Sequence, residues 1–223
     1  MKANKFQSIF SKQNRIFQFL TFQFLILLSC LFYFSLSSAN AQKIPVQISI
    51  FNQSTAIPFT RFFTTPVHLG LQVGTEFNYS KEYYSNFPQK SHHWFQTVNA
   101  SYFYHKDLAQ GIAVFSELGY EKRFKFGLAL QALLGVGYLH TFSTQDEFAL
   151  VDGVYKKKKD RGNGRLYPTF SLGAGYYLKP SEKYSTKLFV RYQSWAEYPY
   201  SPGFIPIMTH INFHVGYKFF VSK

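Results

Sequence analysis

Seven ionisable side chains lie in segments where apolar and polar residues alternate, and all seven belong to the polar phase. They are Glu76, Glu117, Glu121, Arg191, His210, His214 and Lys218. Alternate side chains of a β-strand point to opposite faces, so we predict that these groups share one enclosed side of a sheet. Such groups can transfer protons, conduct ions, or pair and hold an enclosed space shut. Because an isolated buried ion is costly, the sequence favours a paired polar plug, with conduction or catalysis as the alternatives.

The spacing of the histidines argues against a metal centre and against an assembled catalytic set. His210 and His214 are four positions apart, which in a strand separates them by roughly 13 Å at about 3.3 Å per residue. One metal ion cannot bridge that distance, and the other histidines fit no zinc pattern. Serines and histidines are plentiful, but no spacing singles out a nucleophile with its base. The sequence therefore predicts no catalytic residue, metal ligand or cofactor; a lipid hydrolase or acyltransferase is the enzymatic alternative.

The start of the chain has the three-part organisation of a secretory signal peptide. A basic stretch without acidic residues precedes a long apolar run, and small residues follow. We predict cleavage between Ala41 and Gln42, giving a signal peptide at 1–41 and one mature domain at 42–223; a retained anchor is the alternative. The single cysteine, Cys30, lies in the apolar run, where a lipoprotein box is the alternative. The mature chain is then expected to have neither disulfides nor thiolate metal sites.

Period-two alternation of apolar and polar residues recurs through the mature part and predicts an all-β fold. The eight predicted strands are 45–52, 67–80, 92–105, 111–121, 126–141, 166–178, 185–195 and 209–220. An even number of strands of this length favours an eight-stranded antiparallel up-and-down barrel. If the N-terminus is periplasmic, the long connections at 53–66, 142–165 and 196–208 fall at the outer end, as in known transmembrane barrels. Two connections depart from this pattern: the inner one that begins at Lys81 is long, and the outer one near Asp107 is short.

The composition of the second face of each strand distinguishes a membrane barrel from a soluble one. A soluble barrel exposes a face rich in lysine, glutamate and arginine to water, whereas here the face opposite the apolar one is rich in glycine, serine, threonine, asparagine and glutamine. Its glycines are Gly70, Gly74, Gly119, Gly127, Gly135, Gly137, Gly173, Gly175 and Gly216. Small residues suit the narrow interior of an eight-stranded barrel, so Leu71, Leu130 and Phe213 are predicted to face lipid. Aromatic residues form 21% of the chain, which fits the aromatic girdles of transmembrane barrels.

Several short stretches together resemble the small outer-membrane β-barrel proteins of Bacteroidota, and more distantly the eight-stranded OmpX and OmpW types. They are Pro66-Val67-His68-Leu69-Gly70 with Gly74-Thr75-Glu76, Trp94-Phe95-Gln96-Thr97, Tyr102-Phe103-Tyr104-His105, Gly135-Val136-Gly137-Tyr138-Leu139-His140, Leu172-Gly173-Ala174-Gly175-Tyr176 and His210 to Gly216. The resemblance covers most of the mature chain. It implies the outer membrane of a Gram-negative bacterium and a transmembrane β-barrel. It carries no site residue, because this group has no settled activity. The chain departs from the group in its tail, where Val221-Ser222-Lys223 follows the aromatic residue that is usually terminal.

The strongest cluster of positive charge lies in the connection at 142–165, which we predict to form a hairpin projecting beyond the barrel. Its basic residues are Lys156, Lys157, Lys158, Lys159, Arg161 and Arg165. Asp152-Gly153 and Asn163-Gly164 are predicted turn dipeptides. A solvated loop tip is one interpretation of the cluster. The other is contact with phosphates of neighbouring lipopolysaccharide or with an acidic extracellular partner.

The predicted function is a structural or loop-mediated interaction role for a barrel whose lumen is filled by side chains. A narrow channel for ions or small solutes is the second hypothesis, and a lipid-modifying enzyme is the third. The expected partners are outer-membrane lipid, lipopolysaccharide and the outer-membrane assembly machinery. We expect a monomer that binds no nucleic acid.

Overall fold

The computed structural model describes most of the chain that follows the predicted signal peptide. The described residues are 43–62, 64–79, 92–106, 109–151, 153–158, 160–201 and 204–221. The signal peptide at 1–41 and its cleavage site between Ala41 and Gln42 lie outside them. Within these ranges, no helix is long and apolar enough to cross a membrane.

Ten strands are formed by the described residues, and eight of them close into one antiparallel barrel. The strands are β1 (Ile44–Thr55), β2 (Leu69–Asn78), β3 (His92–Tyr104), β4 (Ala109–Arg123), β5 (Leu128–Ser143), β6 (Glu147–Val151), β7 (Val154–Lys158), β8 (Asn163–Tyr177), β9 (Lys187–Glu197) and β10 (Met208–Val221). Around the barrel the order is β1-β10-β9-β8-β5-β4-β3-β2, while β6 and β7 pair only with each other. The predicted eight-stranded antiparallel barrel is therefore confirmed.

Closure depends on the pairing of the first and last strands. β1 and β10 are antiparallel from Ile44 opposite Val221 to Thr55 opposite His210. Every barrel strand then has two neighbours, and no backbone edge is left for water or lipid to satisfy. We call the end that carries the β1–β2, β5–β8 and β9–β10 connections the loop end, and the opposite end the turn end.

The apolar rows of the strands face outward, as the alternation predicted. Leu71 and Leu130 are 49% and 46% exposed, and Phe213 lies half-buried on the same outer side. Glu76 and Glu117, on the opposite phase, are 3% and 0% exposed. For these two carboxylates burial means enclosure by the barrel, so charged side chains lie inside and apolar rows face outward, the reverse of a soluble barrel.

The inward glycines accommodate large aromatic rings on the neighbouring strand. Three phenylalanines stand directly opposite glycines in the antiparallel register: Phe51 opposite Gly70, Phe95 opposite Gly119, and Phe103 opposite Gly111. A Cβ atom placed on any of these glycines would overlap the ring of its partner. The small residues of the inner face therefore make room for phenylalanine side chains that fill the lumen.

The structure corrects the predicted boundaries at the loop end. Asn163-Gly164, predicted as a turn, begins β8, and Arg165 is a strand residue rather than a loop residue. β9 continues to Glu197, past the predicted end at 195. In both cases pairing with a neighbouring strand extends the segment beyond its alternating pattern. The hairpin predicted within 142–165 is present as β6 and β7, with Gly153 in the turn at a φ of 75°.

The connection between β1 and β2 folds over the outer surface of the barrel. The backbone N–H of Phe59 donates to the hydroxyl of Tyr192 at 2.8 Å, and the Asn52 amide donates to the carbonyl of Thr64 at 2.9 Å. By the alternation of β9, Tyr192 should face outward with its neighbours Leu188 and Val190. It does belong to the outer phase, but this connection covers it and leaves it 7% exposed.

Candidate functional site

The interior near the turn end is organised around the carboxylate of Glu121. Lys187 Nζ, the Tyr177 hydroxyl and Gln131 Nε2 each donate a hydrogen bond to it at 2.7 Å. The Glu121 and Lys187 side chains are 0% and 1% exposed. They come from β4 and β9, so this ion pair crosses the lumen rather than linking neighbouring strands.

A second carboxylate, that of Glu76, lies beside the first cluster. Lys218 Nζ is 3.2 Å from both of its oxygens, and Gln47 Nε2 donates to Oε2 at 2.9 Å. His93 Nε2 is 3.9 Å from the other oxygen, Oε1. Lys218 also reaches the Tyr177 hydroxyl at 3.4 Å. The two carboxylates thus belong to one network with both lysines.

The middle of the lumen is occupied by Glu117, which lies on β4 like Glu121. Thr169 and Ser171 donate to its Oε1 at 3.0 and 2.9 Å. Arg191 Nη1 is 3.8 Å from its Oε2, and Arg191 Nη2 donates to Gln47 at 3.2 Å. Arg191 therefore connects the central carboxylate to the network nearer the turn end. In this part of the barrel Glu76, Glu117 and Glu121 face three cations, Lys187, Arg191 and Lys218.

Aromatic side chains fill the lumen between this network and the loop end. The cluster consists of Phe51, Phe103, Ala113, Phe115, Leu139, Tyr167 and Trp195. The rings of Phe103 and Trp195 are 5.7 Å apart between centroids, although β3 and β9 lie four strands apart in either direction around the barrel. Contact between diametrically opposite strands means that side chains span the full width of the interior at this level.

The two histidines of β10 have different partners, in agreement with their wide separation along the strand. His214 Nε2 is 3.3 Å from Gln193 Oε1, and the Phe51 ring lies 4.7 Å from the imidazole. His210 stacks on Trp195 at 4.0 Å, and its Nε2 is 2.8 Å from Glu197. Among the described residues, no group of three histidine, cysteine, aspartate or glutamate side chains is arranged to hold a metal ion.

The mouth of the barrel at the loop end contains a buried ion pair and a cavity. Arg165 Nη1 is 2.8 Å from Glu197 and donates to the carbonyl of Tyr200 at 3.1 Å. A cavity of about 270 Å³ lies beside this pair. Its walls include Thr141, Ser143 and Asn163, as well as the ion pair itself. Arg165, predicted as part of an exposed basic loop, instead ties the β9–β10 connection to the barrel wall.

The remaining basic-loop residues are only partly described. The Lys157 side chain is 64% exposed and pairs with Asp146 at 2.7 Å. Arg161 is exposed at the base of the hairpin, where Asp160 accepts hydrogen bonds from the backbone N–H groups of Ser143 and Gly162. Lys159 lies outside the described residues, and for Lys156 and Lys158 only the strand position is described.

All seven residues that the sequence singled out for the lumen are buried, at 3% exposure or less. The predicted lumen residues did not include Lys187 or Glu197, although the alternation of β9 puts Lys187 on the inner phase. The missing signal was its partner, Glu121, which lies 66 positions away. The side chains that complete the network are mostly neutral amides and hydroxyls. Their inward phase was visible in the sequence, whereas their partners were not.

Comparison with solved structures identifies proteins that share this barrel fold. The crystal structure of Neisserial surface protein A matches with a TM-score of 0.52 at 8% identity, over 81% of this chain and 99% of that chain. The fold is that of an outer-membrane β-barrel. The outer membrane enzyme PagL gives a TM-score of 0.44 at 11% identity, over 79% of this chain and 99% of that one. Ail of Yersinia pestis gives 0.38 at 11%, over 79% and 97%. No family model and no curated protein sequence matches the chain.

Proposed function

We propose that the chain is an outer-membrane barrel that serves as a structural and interaction protein, acts through its loop end, and does not conduct. Membrane residence is supported by the outward apolar rows, in which Leu134, Leu69 and Ile50 are 67%, 65% and 59% exposed. Such rows are stable beside lipid and costly beside water. Cell fractionation tests this location: the chain should partition with the outer membrane and resist extraction by alkaline carbonate, and release into the soluble fraction would refute it.

The contact of Phe103 with Trp195 across the full width of the lumen is the main support for a barrel that does not conduct ions. Between that aromatic layer and the turn end, the charged side chains of the lumen form ion pairs, such as the Glu121–Lys187 pair at 2.7 Å. A hydrated path would have to break both the aromatic layer and the ion pairs. This packing favours a filled lumen over the narrow-channel alternative.

Planar-bilayer recording tests the filled lumen directly. The wild-type barrel should give no reproducible conductance steps. A Phe103→Ala, Trp195→Ala double variant, which removes the bridging rings, is expected to show brief openings and so demonstrates that the assay detects a leak. A large and reproducible conductance of the wild type would contradict the proposal and restore the channel hypothesis.

The interaction role is proposed for the β6–β7 hairpin, which forms a two-stranded sheet separate from that of the barrel. Phe148 and Tyr155 are 58% and 74% exposed on it, beside the exposed Lys157. Aromatic rings next to lysines suit a phosphorylated, partly apolar partner, and lipopolysaccharide phosphates at the outer leaflet have this chemistry.

This interaction is measured by the amount of lipopolysaccharide that co-purifies with the barrel from the outer membrane of a Gram-negative host. Replacing 156–159 with glutamine should lower the co-purified amount several-fold. The matched control replaces four lysines of the turn end, Lys43, Lys122, Lys125 and Lys179, which would face the opposite leaflet. Equal amounts with wild type and hairpin variant would remove the lipopolysaccharide hypothesis.

No catalytic role is part of this proposal. The His210 ring stacks on Trp195 at 4.0 Å and its Nδ1 is 3.0 Å from Gln53 Nε2, while Glu197 lies 2.8 Å from Nε2. These contacts support a structural histidine in a filled mouth. Incubation of the purified barrel with lipid A tests the enzymatic alternative: release of fatty acid, lost in a His210→Gln variant, would establish it.

A further inference from the structure

The turn end of the barrel carries a ring of exposed lysines with few acidic residues between them. The ring consists of Lys43, Lys122, Lys125, Lys179 and Lys183. Among the described residues of this end, Glu182 is the exposed carboxylate, and it pairs with Lys179 at 2.8 Å. We call these five residues the lysine girdle. Because they precede β1, end β4, or lie in the β4–β5 and β8–β9 connections, they are spread around the barrel.

Aromatic rings hold several of these ammonium groups at the barrel surface. Lys43 and Lys183 both lie over the ring of Tyr184, at 5.1 and 5.2 Å from its centroid. On the other side of the barrel, Lys122 lies 5.5 Å from the ring of Phe124. These cation–π contacts restrict the lysines to the base of the barrel instead of leaving them free in solution.

The girdle lies directly at the border of the apolar outer band. Lys122 is paired with Leu130 of the next strand, and Leu130 is 46% exposed. Tyr184 contacts Phe220 of β10 at 5.2 Å. A change from apolar band to aromatic rings to ammonium groups follows the change from acyl chain to phosphate in a lipid leaflet.

We propose that the lysine girdle binds the phosphate groups of anionic phospholipids in the leaflet that borders the turn end. This inference rests on the membrane residence proposed above and adds a lipid class to it. A protein partner would need its basic contacts gathered on one side, whereas these lie both on the Tyr184 side and on the Phe124 side of the barrel, where the surrounding lipid reaches both groups. Among the residues that the structure describes at this end, the one exposed carboxylate is already paired, which leaves the girdle with a net positive charge that complements the phosphates.

Spin-labelled lipids in reconstituted vesicles measure this preference. The barrel is inserted into phosphatidylcholine vesicles that contain either labelled phosphatidylglycerol or labelled phosphatidylcholine, and the motionally restricted fraction of each is compared. We expect roughly threefold enrichment of phosphatidylglycerol around the wild type at low salt. High salt should reduce it towards equality, since surface attraction is screened within about 3 Å at 1 M.

Two variants locate the effect. Replacing all five girdle lysines with glutamine should abolish the enrichment. Replacing Arg61 and Lys106, loop-end cations that lie outside the basic hairpin, with glutamine should leave it within experimental error. Equal loss in both variants would mean that general basic charge attracts the lipid, and that result overturns the proposal. If the girdle variant does not fold, the salt titration of the wild type decides: enrichment that persists in high salt overturns the proposal.

Insertion is measured separately by heat-modifiable migration of the folded barrel on a gel. A wild type that inserts without preferring phosphatidylglycerol refutes the girdle proposal and leaves the proposed function intact. A wild type that does not insert into any vesicle refutes both.

Discussion

Replacing Glu121 by glutamine tests whether the buried ion pairs stabilise the barrel. The carboxylate accepts three hydrogen bonds of 2.7 Å, from Lys187, Tyr177 and Gln131. Glutamine has nearly the same shape but offers one acceptor oxygen and a donating amide. The amine of Lys187, 1% exposed, would lose the carboxylate that it contacts. Breaking a buried pair in this way costs about 3–5 kcal/mol, a large part of a typical total stability of roughly 5–15 kcal/mol.

A double-mutant cycle separates the pair from its surroundings. The single variants Glu121→Gln and Lys187→Met should each destabilise by about 3 kcal/mol or more. The double variant should lie within about 1 kcal/mol of the wild type, because it leaves no unpaired charge. The free energy of unfolding is obtained from urea titrations in lipid vesicles, followed by tryptophan fluorescence and by gel migration.

An exposed ion pair of similar length serves as the matched control. Lys179 and Glu182 are 2.8 Å apart, but their side chains are 68% and 56% exposed. Glu182→Gln should change the free energy of unfolding by no more than about 1 kcal/mol. The reasoning fails if Glu121→Gln costs as little as this control, or if the double variant is as unstable as the two single changes added together.

Three further changes test the packing of the lumen, the outer surface and the covering connection. Gly70→Ala should cost about 1–3 kcal/mol in the same unfolding assay, because its methyl group overlaps the ring of Phe51; a second change, Phe51→Leu, should recover part of the loss. Leu134→Arg should cost about 2–4 kcal/mol in vesicles, while Tyr155→Arg on the hairpin should cost almost nothing. Tyr192→Phe removes the acceptor of a hydrogen bond from the backbone of the β1–β2 connection. Hydrogen exchange should then be faster in that connection, with a stability loss of about 1 kcal/mol.

Each of these expectations can be contradicted. A Gly70→Ala barrel of wild-type stability would mean that the ring moves aside at no cost. Equal effects of the two arginine substitutions would mean that Leu134 does not face lipid. Unchanged exchange after Tyr192→Phe would mean that other contacts hold the connection against the barrel.

The number of barrel strands and the side that their residues face could be predicted from the sequence. A strand turns successive side chains to opposite faces whatever lies beside it, so the alternation around Leu71 and Leu130 was sufficient. The same local rule placed Glu117 and His214 on the inner phase. Strand ends were less predictable, because the extension of β9 to Glu197 depends on pairing with a neighbouring strand rather than on its own pattern.

The sequence also contained the glycines of the inner face, but it did not reveal what lay against them. Phe95 occupies the space above Gly119 because the register of β3 and β4 sets the two residues opposite each other. Likewise, Tyr192 carries an outward pattern yet is buried by a connection that begins more than a hundred positions earlier. Neither contact follows from local periodicity.

The sequence by itself determined an inward row of charges and an outward row of apolar side chains, since both follow from a repeat of two residues. Only the tertiary structure decided that Lys187 meets Glu121 and that Trp195 meets Phe103 across the lumen. Those partners depend on the stagger of all eight strands on closure, a property of the whole barrel that no single segment encodes.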